Sequence, residues 1–291
     1  FPHIAGGTNF NTSTNKNMKT VSQWGDIKWE SMTTSFASTN NLSITASDAP
    51  DLSQVTSMAS MFMFSGIATP DLSGWDVSGV TNMQQMFLIA GNFNGDITSW
   101  NVGNVQNMNG MFTYSQSFNG DIGGWNVASV DSMLGMFANA AAFDQNLAEW
   151  DISQVVSFDD EAQGAAFMNG TALSTSNYDS LLAGWGSQTV QPNLTISFGE
   201  TQYSLNGQAG RQQLLNAGWT INDGGLAGNP FITTWRTTTA NESITIPTGG
   251  GIDIADYDFQ ISWGDGTVDM VTGDDPDPTH TYTEPDDYEV V

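Results

Sequence analysis

Residues 100–112 read "WNVGNVQNMNGMF" and residues 125–137 read "WNVASVDSMLGMF". The two stretches agree at Trp, Asn-Val, Val, Met, Gly and Met-Phe, each pair 25 residues apart. The same step runs outward through Trp75, Trp100, Trp125 and Trp150, and through Val55, Val80, Val105, Val130 and Val155. Met58, Met83, Met108 and Met133 keep it, as do Met61, Met86, Met111 and Met136, then Phe62, Phe87, Phe112 and Phe137. A shorter series joins Phe93, Phe118 and Phe143. A fixed period of this size marks a chain built from one repeated unit, too short to bury its own apolar residues without its neighbours. The ladders are therefore core positions.

Within a unit, "WNVGNVQNM" alternates apolar and polar residues, the period of a half-buried strand. Met108, Met111, Phe112 and Ser115 are spaced as one face of a short helix. "NGD" then turns the chain, because Asn and Gly tolerate the backbone of tight turns. Asn82 and Asn107, with Ser57 and Ser132 in register, form either a row that hydrogen-bonds along the array or a row that reads a ligand. Asp96 and Asp121 sit one repeat apart and are calcium candidates as hard oxygen ligands, although the next copy reads Asp144-Gln145-Asn146. Position 81 is Thr but its mates are Gln106 and Asp131, so no flat threonine ladder exists there.

Composition narrows the classes. With 39% hydrophobic residues, 10 Trp, 16 Phe and 13 Met, the chain has the aromatic content of a folding sequence. Its 31 acidic and 5 basic residues leave a net charge of −26, with only 12% of residues charged. Such a chain repels phosphate backbones and anionic headgroups, which argues against nucleic acid and membrane-surface partners. It suits divalent cations or a saline medium, or the acidity simply keeps the protein soluble. Without Cys there is neither a disulfide framework nor a thiolate metal site. No apolar run is long enough for a membrane span, and the start, "FPHIAGGTNFN", lacks a signal pattern and reads as either a processed end or an imposed boundary.

The frame "W(D/N)VSxVTNMxxMFxxAxxFNGDI" resembles the 25-residue bacterial surface-protein repeat of mycoplasma lipoproteins and BspA-like leucine-rich-repeat proteins. The resemblance covers roughly residues 24–225 and is densest over 51–150. The stretch from Leu194 to Gly225 is similar to the end of such arrays, with Gly210 where the family generally has Ala. The fold class this implies is a leucine-rich-repeat-like repeat solenoid, with short strands plus short helices in each 25-residue turn and atypical capping ends, spanning residues 1–225. The step from Trp150 to Trp185 lengthens to 35 residues, read as an insertion with Tyr178 to Trp185 as a capping helix.

Beyond the Gly-rich "DGGLAGNP", residues 226–291 hold short alternating segments of a β-sandwich type. Trp263-Gly264-Asp265-Gly266-Thr267 and Thr279-His280-Thr281-Tyr282 resemble the polycystic kidney disease (PKD) domain, with Asp286 where that family has Gly. The expectation is an incomplete immunoglobulin-like β-sandwich lacking its last strand, in a natural chain that continues. Asp274, Asp275 and Asp277 are further calcium candidates, though the string lacks the Gly and Glu of an EF-hand loop.

Catalysis needs a nucleophile with a base, a metal cage or a carboxylate pair in a cleft. His3 and His280 fall in different domains, and Asp159, Asp160 and Glu161 have no partner at a defined spacing. The chain reads as non-catalytic, with no required cofactor. What the resemblance implies is an extracellular region of a secreted or cell-surface adhesin, its solenoid binding protein or glycan partners and its PKD-like module acting as spacer. A structural subunit of an extracellular filament or surface layer, contacting copies of itself, is the alternative. Partner specificity is expected at Leu88, Thr113, Tyr114 and Ala138, where the repeats vary.

Overall fold

Two residues in every regular unit have left-handed backbones. Ser60, Gln85, Gly110 and Gly135 have φ of 55°, 55°, 59° and 58°, and Phe64, Ile89, Tyr114 and Asn139 all have φ of 57°. Neither a right-handed helix nor a pleated strand can contain such a residue. The predicted helix through Met108 and Phe112 is accordingly a run of tight turns, and the predicted strand is broken by a turn at 103–104.

This corrects the expected fold class. The computed structural model describes residues 17–159, 166–228, 233–246, 259–271 and 277–291. Among them the regular structure is a set of small two-stranded sheets and two helices, β-rich, without the strand and helix per turn that a leucine-rich-repeat-like solenoid requires. Residues 51–158 carry only turns and isolated bridges.

Those bridges keep the 25-residue register. Parallel bridges join Ser57 to Asn82, Asn82 to Asn107, Asn107 to Ser132 and Ser132 to Ser157. The Phe62, Phe87 and Phe112 amides donate to the carbonyls of Met86, Met111 and Met136 at 2.8, 2.9 and 2.9 Å. Beneath them Phe62, Phe87, Phe112 and Phe137 stack at 5.5–5.7 Å between centroids, and Phe93, Phe118 and Phe143 at 5.8–5.9 Å. Burying each such ring favours folding by about 1.5–3 kcal/mol, enough to offset the roughly 1–2 kcal/mol of a left-handed residue.

Five of the indoles are fixed as well as buried. Nε1 of Trp100, Trp125, Trp150, Trp185 and Trp219 donates to the carbonyls of Leu72, Ile97, Ile122, Leu147 and Gln191. A buried indole N–H left without an acceptor costs about 1–3 kcal/mol, a penalty these five avoid.

At the front, β1 (Thr20–Val21) pairs in parallel with β2 (Ser43–Ile44). At the back, α1 (Thr175–Gly186) includes the predicted capping helix, and it packs on α2 (Leu205–Asn216). Between and after them, β3 (Thr195–Ser197) pairs in parallel with β4 (Thr220–Asn222). Gly210 is required here: a Cβ would come within 2.2 Å of the Leu182 carbonyl oxygen, so Ala does not fit without a backbone shift. Ser174 and Ser204 cap the two helices, and each is held by a carboxylate from the preceding segment, Asp144 and Asp179.

The last segment has a separate apolar cluster of Ile244, Ile261, Trp263, Val271, Tyr282 and Val290. Its strands pair antiparallel in twos: β5 (Thr233–Arg236) with β10 (Asp287–Val290), β6 (Glu242–Thr245) with β9 (Thr279–Tyr282), and β7 (Phe259–Ser262) with β8 (Val268–Val271). Ser262 and Val291 exchange backbone hydrogen bonds. These pairs replace the expected immunoglobulin-like sandwich.

Candidate functional site

Each unit divides into a charged and an uncharged half. The segments 57–68, 82–95, 107–120 and 132–143 contain no Asp, Glu, Lys, Arg or His. The acidic residues fall between them, where two Asx turns per unit use the side-chain oxygen. Asp71, Asp76, Asp96 and Asp121 accept from the amides of Ser73, Ser78, Thr98 and Gly123, and Asn101, Asn126 and Asn146 do the same for residues 103, 128 and 148. The Ser73 hydroxyl and amide hold the Asp71 carboxyl below the usual carboxylate range, and Ser78 does the same for Asp76.

The calcium candidates Asp96 and Asp121 are thus turn formers. Asp96 is bridged to Asp71 in the adjoining unit, and among the described residues no group of three His, Cys, Asp or Glu side chains is arranged to hold a metal. Asp277 is among the described residues; Asp274 and Asp275 lie outside them. Of the acidic cluster, Asp159 accepts from the Phe167 amide at 2.7 Å, while Asp160 and Glu161 lie outside the described residues. The Asn row serves the loops: Asn82 and Asn107 accept from the amides of Gln84 and Asn109, and Asn109 accepts from Leu134.

On the uncharged half, the second left-handed column carries large side chains at the surface. Phe64, Ile89 and Tyr114 are 45%, 40% and 47% exposed. The first column relaxes to Gly110 and Gly135, yet the second holds Phe, a β-branched Ile, and Tyr at the same strained φ. Ser60, Gln85 and Asn139 hold the same φ, so the turn itself imposes this cost of about 1–2 kcal/mol per residue, and Phe64, Ile89 and Tyr114 are exposed where it places them. Of the predicted binding residues only Tyr114 stands clear. Leu88 and Thr113 are half-buried, Thr113 donating to the Gly135 carbonyl at 2.6 Å, and Ala138 is buried and leaves the face. Phe64 and Ile89 were missed, although each lies one repeat step from the next toward Tyr114.

Two other polar clusters tie neighbouring elements together. Tyr178 donates to Asp223 at 2.7 Å, and Arg211 pairs with the same carboxylate at 2.8 Å beside an open cleft of about 550 Å³. Burial, then the Asp223 charge, pushes the Tyr178 phenol up, so it remains a donor. In the last segment His280 Nε2 meets both Asp265 Oδ2 at 2.6 Å and Thr267 Oγ1 at 3.4 Å. A relay needs the acid and the hydroxyl on opposite ring nitrogens, so this arrangement braces the turn.

Residues 63–176 match a family. Its model is described as "Mycoplasma protein of unknown function, DUF285", and the match takes in the exposed strip, most of the regular units and the first residues of α1. No curated protein and no solved structure matches the chain. Among the described residues no helix is long and apolar enough to cross a membrane.

Proposed function

We propose that this chain is a non-catalytic binding region of a secreted or cell-surface adhesin. The observation that carries this reading is the segregation of charge. A protein with net charge −26 keeps whole segments of every repeat free of ionisable acids and bases, and raises three apolar side chains from them in register. Exposed apolar residues in a row on an otherwise polar surface mark an interaction site. The similarity of the repeat to BspA-like surface repeats, and of the Trp263 to Thr267 and Thr279 to Tyr282 stretches to PKD modules, supports an extracellular setting with the last segment as spacer. Divalent cations remain compatible with the acidic half as counterions.

The reading is tested by surface labelling of intact cells that make the protein, together with attachment of the purified chain to immobilised matrix proteins and glycans. Labelling of intact cells and saturable attachment are expected. Confinement to the cytoplasmic fraction would sink it. Self-assembly into fibres or sheets at high concentration would instead favour a filament or surface-layer subunit.

A further inference from the structure

The strip Phe64, Ile89, Tyr114 has a definite size, hydrogen-bonding state and charge. With each side chain less than half exposed, it offers roughly 300 Å² of apolar surface. A second copy or a globular partner needs about 800 Å² on each side, so the strip suits something narrower.

An extended peptide would ordinarily add by pairing with free backbone groups. Here the amides of Phe64, Ile89 and Tyr114 already donate to the carbonyls of Leu88, Thr113 and Ala138, all at 2.8 Å. An ionic polymer finds no opposite charge in segments 57–68, 82–95 and 107–120, and the net charge of −26 repels a polyanion. What the strip does present is apolar surface, including two aromatic rings, on segments whose polar side chains are all neutral. Asn92 and Gln116 are exposed on the same segments, and Gln85 and Asn139 partly so.

A pyranose ring has the matching chemistry, with an apolar C–H face that lies on an aromatic ring and a rim of hydroxyls that bond amides. A linear sugar chain repeats that unit along its length, and the strip presents one large apolar side chain per unit, the units lying about 5.6 Å apart at the buried Phe87 and Phe112 rings. We infer that Phe64, Ile89 and Tyr114 form a binding track for an uncharged linear polysaccharide. This rests on the binding role proposed above and names the chemistry of the partner.

Native electrophoresis of the full 291-residue chain through gels containing barley β-glucan, galactomannan, dextran or alginate tests it. At least one neutral polymer is expected to retard the protein, and alginate is not. The double variant Phe64→Asn/Tyr114→Asn copies Asn139 at the same φ and so retains the fold. It is expected to lose at least tenfold in affinity with an unchanged melting profile. Absence of retardation by every neutral polymer, retardation that survives the double variant, or equal retardation by alginate overturns the inference. So does a dimer in sedimentation velocity that the double variant abolishes. Cell attachment unaffected by the double variant would remove the track while leaving the adhesin reading intact; glycan binding by a protein confined to the cytoplasm would do the reverse.

Discussion

Asp144 accepts hydrogen bonds from both the amide and the hydroxyl of Ser174, each at 2.8 Å, thirty residues ahead of it. It ends a ladder in which the Asn119 amide bonds to the Asn94 side chain at 3.0 Å and the Asp144 amide to the Asn119 side chain at 2.9 Å. Where the ladder meets α1, the amide side chain gives way to a carboxylate, the stronger acceptor beside a helix N-terminus. Burial works against its charge, but the bonds from Ser174 and Asn177 outweigh that and hold its carboxyl below the usual range.

Asp144→Ala should therefore destabilise the chain by about 1–2 kcal/mol, and Asp144→Asn by less than about 1 kcal/mol, since one acceptor oxygen survives. Urea melts followed by tryptophan fluorescence measure both. Equal losses for the two would mean that the contact is steric and not a hydrogen bond.

Trp125→Phe keeps a ring in the core but leaves the Ile97 carbonyl without its indole donor. A loss of about 1–3 kcal/mol is expected, with Trp125→Ala costing about 3–5 kcal/mol. If Trp125→Phe melts like the parent, the indole bond contributes nothing.

Gly110 has φ of 59° and a Cβ there would lie 3.2 Å from Thr113 Oγ1. Gly110→Val should cost about 2 kcal/mol, because a β-branched side chain adds rotamer strain to the left-handed penalty. Gly110→Asn should be much milder. The comparison is again a denaturant melt, and a neutral Gly110→Val would show that the turn can reshape.

Asp96→Asn separates turn from metal. Asn101 and Asn126 form the same turn as Asp96, so stability should change by less than about 0.5 kcal/mol, with or without added calcium at matched ionic strength. A calcium-dependent rise in melting temperature that Asp96→Asn removes would restore the cation site.

In the last segment burial opposes the Asp265 charge, but hydrogen bonds from Thr267 and His280 prevail and hold its carboxyl low. A carboxyl depressed in the folded state stabilises it above the unfolded value near 3.9, and that contribution is lost as pH falls through the folded value. The advantage of the parent over Asp265→Asn should accordingly be full at pH 5 and shrink toward pH 3 in thermal melts. An advantage that grows on acidification would contradict this assignment.

The period was legible because apolar residues must recur wherever units share a core, and Trp75 through Trp150 are buried where the spacing put them. The conformation of a unit was not. Ser60 and Gln85, or Phe64 and Ile89, carry no sign of a left-handed backbone, and only Gly110 and Gly135 hint at one column. Apolar spacing alone therefore read as helix and strand what tertiary hydrogen bonds hold as turns. At the site, Tyr114 was recognised as variable and aromatic, but its mates one and two steps back were not sought, and Ala138 is too small to reach the surface. The carboxylates of Asp96 and Asp121 looked available because an Asx turn leaves little trace in sequence.

The hydrogen bonds between units also make each unit depend on both of its neighbours. The amide of Phe87 needs the carbonyl of Met111, and the amide of Gln106 needs that of Thr81, so each unit is completed by the next and completes the one before. The array is thus a stack in which an interior unit is only as stable as the two edges it is docked between.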